Sequence, residues 1–152
     1  MKAEYINPFL ESAGLVLEQL TRVRPVTGPL GIQDVHFAEN HIWIKIGLDG
    51  EMIGDVVFGL HEEVALKLAS AMMGGYAVTQ VDDMTRSAIS ELGNMISGNA
   101  SILLYNQGIK VGITPPVLIQ SSSDVAGYRK KALTIPLHLD QIGQMEIKVL
   151  VS

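Results

Sequence analysis

The sequence predicts an α+β fold in which an antiparallel sheet packs against long helices, and three observations lead to it. Apolar residues recur at helical spacing in two long stretches, residues 7–22 and 83–107. Elsewhere apolar residues alternate with polar ones in short runs bounded by Gly, Pro, Asn and Asp, the mark of half-buried strands. The order also repeats: one helix then three strands in residues 1–60, and one helix then three strands in residues 81–152, which reads as a degenerate duplication.

Asn7 and Pro8 suit the N-cap and first position of helix 1, because proline has no amide to lose there, and Leu10, Ala13, Leu15, Val16, Leu17 and Leu20 follow at helical spacing. Prolines and glycines between residues 25 and 30 end it. Ile32, Val35 and Phe37 then alternate up to Glu39-Asn40, and Ile42, Ile44 and Ile46 alternate after it, which predicts a hairpin. Asp49-Gly50 is a second turn signal, and residues 52–60 form the third strand of an antiparallel meander. A helix over residues 62–73 closes at Gly74-Gly75. Asp82 or Asp83 caps the longest helix, which ends at Gly108. Strands follow at residues 111–120, interrupted by Pro115-Pro116, at 132–139 and at 145–151, with a flexible loop around Ser121-Ser122-Ser123-Asp124 and Gly127. With no interdomain linker, residues 1–152 read as one domain. In the last strand Met145, Ile147, Val149 and Val151 alternate along a mostly apolar run, which predicts an unpaired edge covered by a second copy in a homodimer.

Composition excludes several classes of function. Hydrophobic residues make up 47% and charged residues 18%, the balance of a globular chain. Eleven Lys and Arg stand against sixteen Asp and Glu, for a net charge of −5 and no basic cluster, so nucleic acid and anionic membrane are not expected partners. Cysteine is absent, which removes thiolate chemistry and Cys-based metal sites. Glu4 and Glu11 stand where a signal peptide would need an apolar core, and no run approaches the ~18 apolar residues of a membrane span, so a cytoplasmic protein is expected. His36, His41, His61 and His138 lack metal-ligand spacing, and after His61-Glu62 the position a zinc-protease helix would give to its second histidine is Ala65. Phosphate loops and nucleophile elbows are missing. The seven methionines, Met72-Met73 among them, read as core filler.

The longest helix carries the most information. At about 100° per residue, setting Leu92 at the centre of the buried arc brings Met84, Ala88, Ile89, Met95, Ile96, Ala100 and Leu103 into one apolar stripe. Ser87, Glu91, Asn94, Gly98 and Ser101, spaced by four, three, four and three, form a ridge beyond its edge. Small residues hold positions where long charged side chains would favour the helix, so another protein's backbone could come close. Gly93 and Gly98 each cost about 1 kcal/mol relative to alanine. Relief of crowding against a neighbouring helix and a functional role both account for them.

Residues 91–100, ELGNMISGNA, preceded by Asp82-Asp83 and Ser87-Ala88-Ile89, resemble the signature helix of the CheC/CheX/FliY family of bacterial chemotaxis phosphatases. The resemblance extends to Ser70-Ala71-Met72-Met73-Gly74-Gly75 and to Ile113-Thr114-Pro115-Pro116, and it is strongest toward CheX-type members. It implies a CheC-like fold and a phosphatase that removes the phosphoryl group from the aspartate of a CheY-type response regulator. Carried over by position, it makes Asn94 the catalytic amide, Glu91 its partner acid, and Ser87, Gly98 and Ser101 part of the partner-binding ridge. It implies no cofactor of the chain's own, the Mg2+ belonging to the receiver, and it also implies a homodimer. CheX-type members keep one site where CheC-type members have two. Here helix 1 offers Glu11-Ser12-Ala13-Gly14, with glycine in place of the amide, and the other match, Glu4 to Asn7, falls at the expected helix start, so one site per chain is expected. The alternative is a non-catalytic receiver-binding or adaptor domain of the same fold; the presence of both Glu91 and Asn94 favours catalysis.

Overall fold

A computed structural model describes residues 3–34, 36–119 and 131–151. Helix α1 spans Ala3–Thr21 and so begins a full turn before the expected Asn7 cap, with Pro8 inside it. The cost is one backbone hydrogen bond near the helix start. The gain is a longer buried stripe, since Ile6 and Phe9 join Ala13, Val16 and Leu17 in the core.

Strands β1 (Val26–Thr27) and β2 (Gly31–Asp34) are short and mostly exposed. The expected hairpin between residues 32–37 and 42–46 does not form: β2 pairs with β7 (Lys131–Leu139), as β1 does. Alternation marks a strand but does not choose its partner. Part of that expected strand, Val35, lies outside the described residues, as does the predicted loop at residues 121–127. β3 (His41–Gly50) and β4 (Gly54–His61) make a long antiparallel pair, the chain reversing through residues 51–53 after Gly50 adopts φ +96°.

Helix α2 (Glu62–Met72) starts on His61, whose Nδ1 accepts the Glu63 N–H at 3.1 Å, and stops at Gly74 and Gly75, both with positive φ. Helix α3 spans Asp83–Asn106. After it, Pro115-Pro116 divides β5 (Val111–Ile113) from β6 (Val117–Leu118), and the chain ends in β7 and β8 (Gly143–Val151).

All strands join one antiparallel sheet in the order β1-β7-β8-β4-β3-β5, with β2 also on β7 and β6 also on β3. The two halves of the chain are interleaved. Each contributes a long pair, β3–β4 or β7–β8; the pairs meet through β4 and β8, and the short strands of each half edge the long strand of the other. The duplicated element order therefore corresponds to a duplicated, exchanged pairing. One consequence corrects the sequence reading: β8 is paired on both sides, to β4 and β7, and offers no free edge. The apolar run of the C-terminus reflects a central strand buried on both faces.

The helices cover one face of the sheet. Ile44, Ile46, Phe58, Leu60, Ile135 and Ile147 from the strands meet Leu17, Leu68, Ile89, Leu92 and Ile96 from the helices in one continuous core. On the opposite face Trp43, Val57, Ala132 and Leu150 form a smaller cluster, and Lys148, 3% exposed, lies 2.5 Å from Glu146 Oε1 with its ammonium 5.8 Å from the Trp43 ring centroid. Gly59 is required beneath that ring, because a Cβ there would stand 2.0 Å from Trp43 Cζ3.

Candidate active site

α3 is anchored at its start by Asp82, whose Oδ1 accepts the Thr85 N–H at 3.0 Å while the Thr85 hydroxyl reaches the Gln80 carbonyl at 2.8 Å. The hydrogen bond from the Thr85 backbone leads in holding the Asp82 carboxyl below its usual range, with the Thr85 side chain adding to it. This cap sets the rotation of the first turn: Thr85 is buried and Met84 is 65% exposed. The predicted stripe is corrected along the helix, beginning with Met84. Ile89, Leu92, Ile96 and Ala100 are buried as expected, Ala88, Met95 and Leu103 are half-buried, and Gly93, Ser97 and Leu104 take the remaining inward positions.

Beneath the middle of α3 lies a bracket built by Ile113-Thr114-Pro115-Pro116. Thr114 Oγ1 accepts the Gly47 N–H at 2.8 Å and its own N–H donates to the Gly47 carbonyl at 3.0 Å, tying the segment to β3. Pro116 then lies against α3 at Gly93, where a Cβ would approach Ile44 Cγ2 to 3.1 Å and Pro116 Cβ to 3.2 Å. Gly93 is thus a packing residue, set against the sheet and its bracket instead of a second helix. Gly98 is different: nothing lies within 4 Å of where its Cβ would be.

Ser87, Glu91, Asn94, Gly98 and Ser101 are all exposed. Glu91 and Asn94 are one turn apart, about 4.5 Å along the axis and about 60° round it. Neither side chain has a hydrogen-bond or ion-pair partner among the described residues, while the Asn94 carbonyl accepts the Ser97 hydroxyl at 3.2 Å, which keeps that serine turned inward. The acid and the amide therefore project from a rigid helix with their full hydrogen-bonding capacity available: the carboxylate accepts only, the amide both donates and accepts and does not titrate.

α1 offers no matching surface. Glu4 and Asn7 lie inside the helix instead of ahead of it, both exposed, but their face continues with Glu11 and Glu18, long acids where α3 has Ser and Gly. Gly14, where the resemblance would have needed an amide, is half-buried. Sequence reasoning missed a groove beside the ridge, about 450 Å³, in which Met72, Met73, Met84, Ser87 and Ala88 lead to Glu91. Its signal was the Asp82–Thr85 cap, which turns Met84 outward. Among the described residues no group of three or more His, Asp or Glu is placed to hold a metal ion, and no helix is long and apolar enough to cross a membrane.

Fold and ridge together define an α+β protein that presents an acid–amide pair on the outer face of a helix. Residues 42–138 match the family model for the chemotaxis phosphatase CheX. The CheY-P phosphatase CheX of Thermotoga maritima is 33% identical over 120 residues, covering 78% of this chain and 77% of that one. The chain belongs to the CheX family of chemotaxis phosphatases. Among solved structures, CheX in the CheX–CheY–BeF3–Mg2+ complex of Borrelia burgdorferi is similar with TM-score 0.77 and 27% identity, over 97% of both chains. A CheC-like superfamily protein of Shewanella sp. PV-4 shares the fold with TM-score 0.80 and 21% identity, over 100% of this chain and 99% of the other.

Proposed function

We propose that this chain is a cytoplasmic phosphatase, one domain over residues 1–152, that hydrolyses the aspartyl phosphate of a CheY-type response regulator with Asn94 as its catalytic amide and Glu91 as its docking acid. The observation that carries the reading is the exposure of both side chains, one turn apart, on a ridge of small residues in a chain of the CheX family.

An acyl phosphate is already activated, so its loss is limited chiefly by placing a water in line with the bond to be broken. The Asn94 amide is suited to placing it, because donor and acceptor together can hold a water and the group brings no charge to repel the phosphoryl oxygens. Glu91 pairs with the lysine that CheY-type receivers keep beside the phosphorylated aspartate, setting the depth at which Asn94 enters. The Mg2+ belongs to the receiver, in keeping with the Borrelia complex, which contains CheY, BeF3 and Mg2+. Ser87, Gly98 and Ser101 let the receiver's backbone close on the helix. The resemblance further implies a homodimer; the sheet edges open to it are those of β1/β2 and β5/β6, and light scattering would read twice 16.4 kDa.

The test is to incubate the protein with each phosphorylated single-domain receiver of its own genome and follow phosphate release. Accelerated loss from at least one supports the reading. Binding without acceleration of any would assign the chain to the adaptor class.

A further inference from the structure

We propose that the methionine-lined groove between the end of α2 and the start of α3 seats an apolar side chain that the receiver presents beside its phosphorylation pocket, making Met84 a determinant of receiver affinity. The proposal rests on the reading of Glu91 and Asn94 given above. Met84 is 65% exposed, and its weight lies in the neighbours that make it part of a patch. Together with the half-buried Met72 and Met73 it walls the groove that runs to Glu91. A second hollow of about 560 Å³ continues from Met73 and Met84 to Val78 and to Tyr76, which is 79% exposed. The apolar surface is therefore extended and opens on the same side as the acid of the site.

Continuity with the site identifies the occupant. Glu91 is itself part of the groove wall, and Met84 lies seven residues before it, about 10.5 Å along the helix axis. A protein that bears on Glu91 and Asn94 with a standard interface of about 800 Å² per partner covers that distance. The rim carries more acid than base, with Asp82 and Asp83 exposed at one end, Asp83 3.6 Å from Arg86, and Glu91 at the other. A second copy related by a two-fold axis would bring the same acids face to face, which disfavours self-association there. An apolar side chain flanked by lysines on a receiver fits both the lining and the rim. Methionines also make a physically apt lining, because their unbranched, polarisable side chains adapt to differently shaped partners.

The test is steady-state hydrolysis of a phosphorylated receiver at varied concentration by Met84→Gln, Met84→Leu and Asn94→Ala. Gln is near in size, uncharged and compatible with a helix, so the fold is expected to hold, which thermal melts check. Met84→Gln should raise KM about tenfold while changing kcat less than about twofold, and Met84→Leu should restore KM. If Asn94→Ala loses turnover while Met84→Gln keeps the wild-type KM, the groove proposal is overturned and the active-site reading stands. If Asn94→Ala retains turnover, the active-site reading has failed, whatever Met84 does. If Met84→Gln changes the mass measured by light scattering and leaves KM unchanged, the groove serves self-association and the proposal is wrong.

Discussion

Gly93 and Gly98 stand five residues apart on α3 and answer to different constraints. Gly93 has Ile44 and Pro116 within van der Waals reach of where its Cβ would be, whereas Gly98 faces open space. Alanine at Gly98 meets nothing and removes the backbone freedom of glycine from the unfolded chain, so Gly98→Ala should stabilise by about 0.5–1 kcal/mol in denaturant titration. Gly98→Lys should keep the fold and block turnover, because a long side chain would then stand on the ridge. Valine at Gly93 must push α3 off its bracket, and Gly93→Val should cost about 1–3 kcal/mol. Equal stability changes at the two positions would contradict this division. The sequence presents both glycines as the same anomaly; only the sheet beneath one of them separates them.

At the scale of the element, α3 is the most legible part of the chain. Its length and the ridge from Ser87 to Ser101 follow from periodicity, Asp82 is the one of the two expected cap residues that the helix uses, and the buried stripe is rotated along the helix, with Met84 outward and Thr85, Gly93, Ser97 and Leu104 inward. Rotation of the first turn by Thr85 is a local hydrogen-bonding effect that an average over the helix does not register. The cap predicts a pH dependence. The folded-state pKa of Asp82 lies below its unfolded value, so its ionised form supports the helix above about pH 4 and that support disappears as pH falls through the folded value. Asp82→Asn keeps the acceptor but not the charge. The wild type should therefore be the more stable at about pH 7, and the difference should shrink by about pH 3, measured as denaturation midpoints. A difference independent of pH would contradict the assignment. α1 is less legible because Pro8 reads as a helix start, yet a proline in the second turn removes a single bond while Ile6 and Phe9 are drawn into the core.

The whole molecule shows where sequence reading reaches its limit. The duplication is visible in the order of elements, but the exchange of short strands between halves is not, because pairing partners are set by long-range register that no local alternation encodes. The apolar C-terminus reads as an edge for the same reason: a strand buried on both faces and a sticky edge strand share one composition. The exchange has a functional consequence. β3, held in the sheet by β4 and tied to Thr114 on its other side, supports Pro116 and Gly93, so the residue beside Asn94 is referenced to the sheet through β3. A site on a helix fixed in this way can place an amide with the precision that water positioning needs. The measurement that tests this most directly is phosphate release from a saturating phosphorylated receiver by Asn94→Ala, together with its affinity for the receiver carrying a phosphate mimic. Turnover should fall by about 100-fold while affinity changes less than about threefold; wild-type turnover in Asn94→Ala would contradict the account.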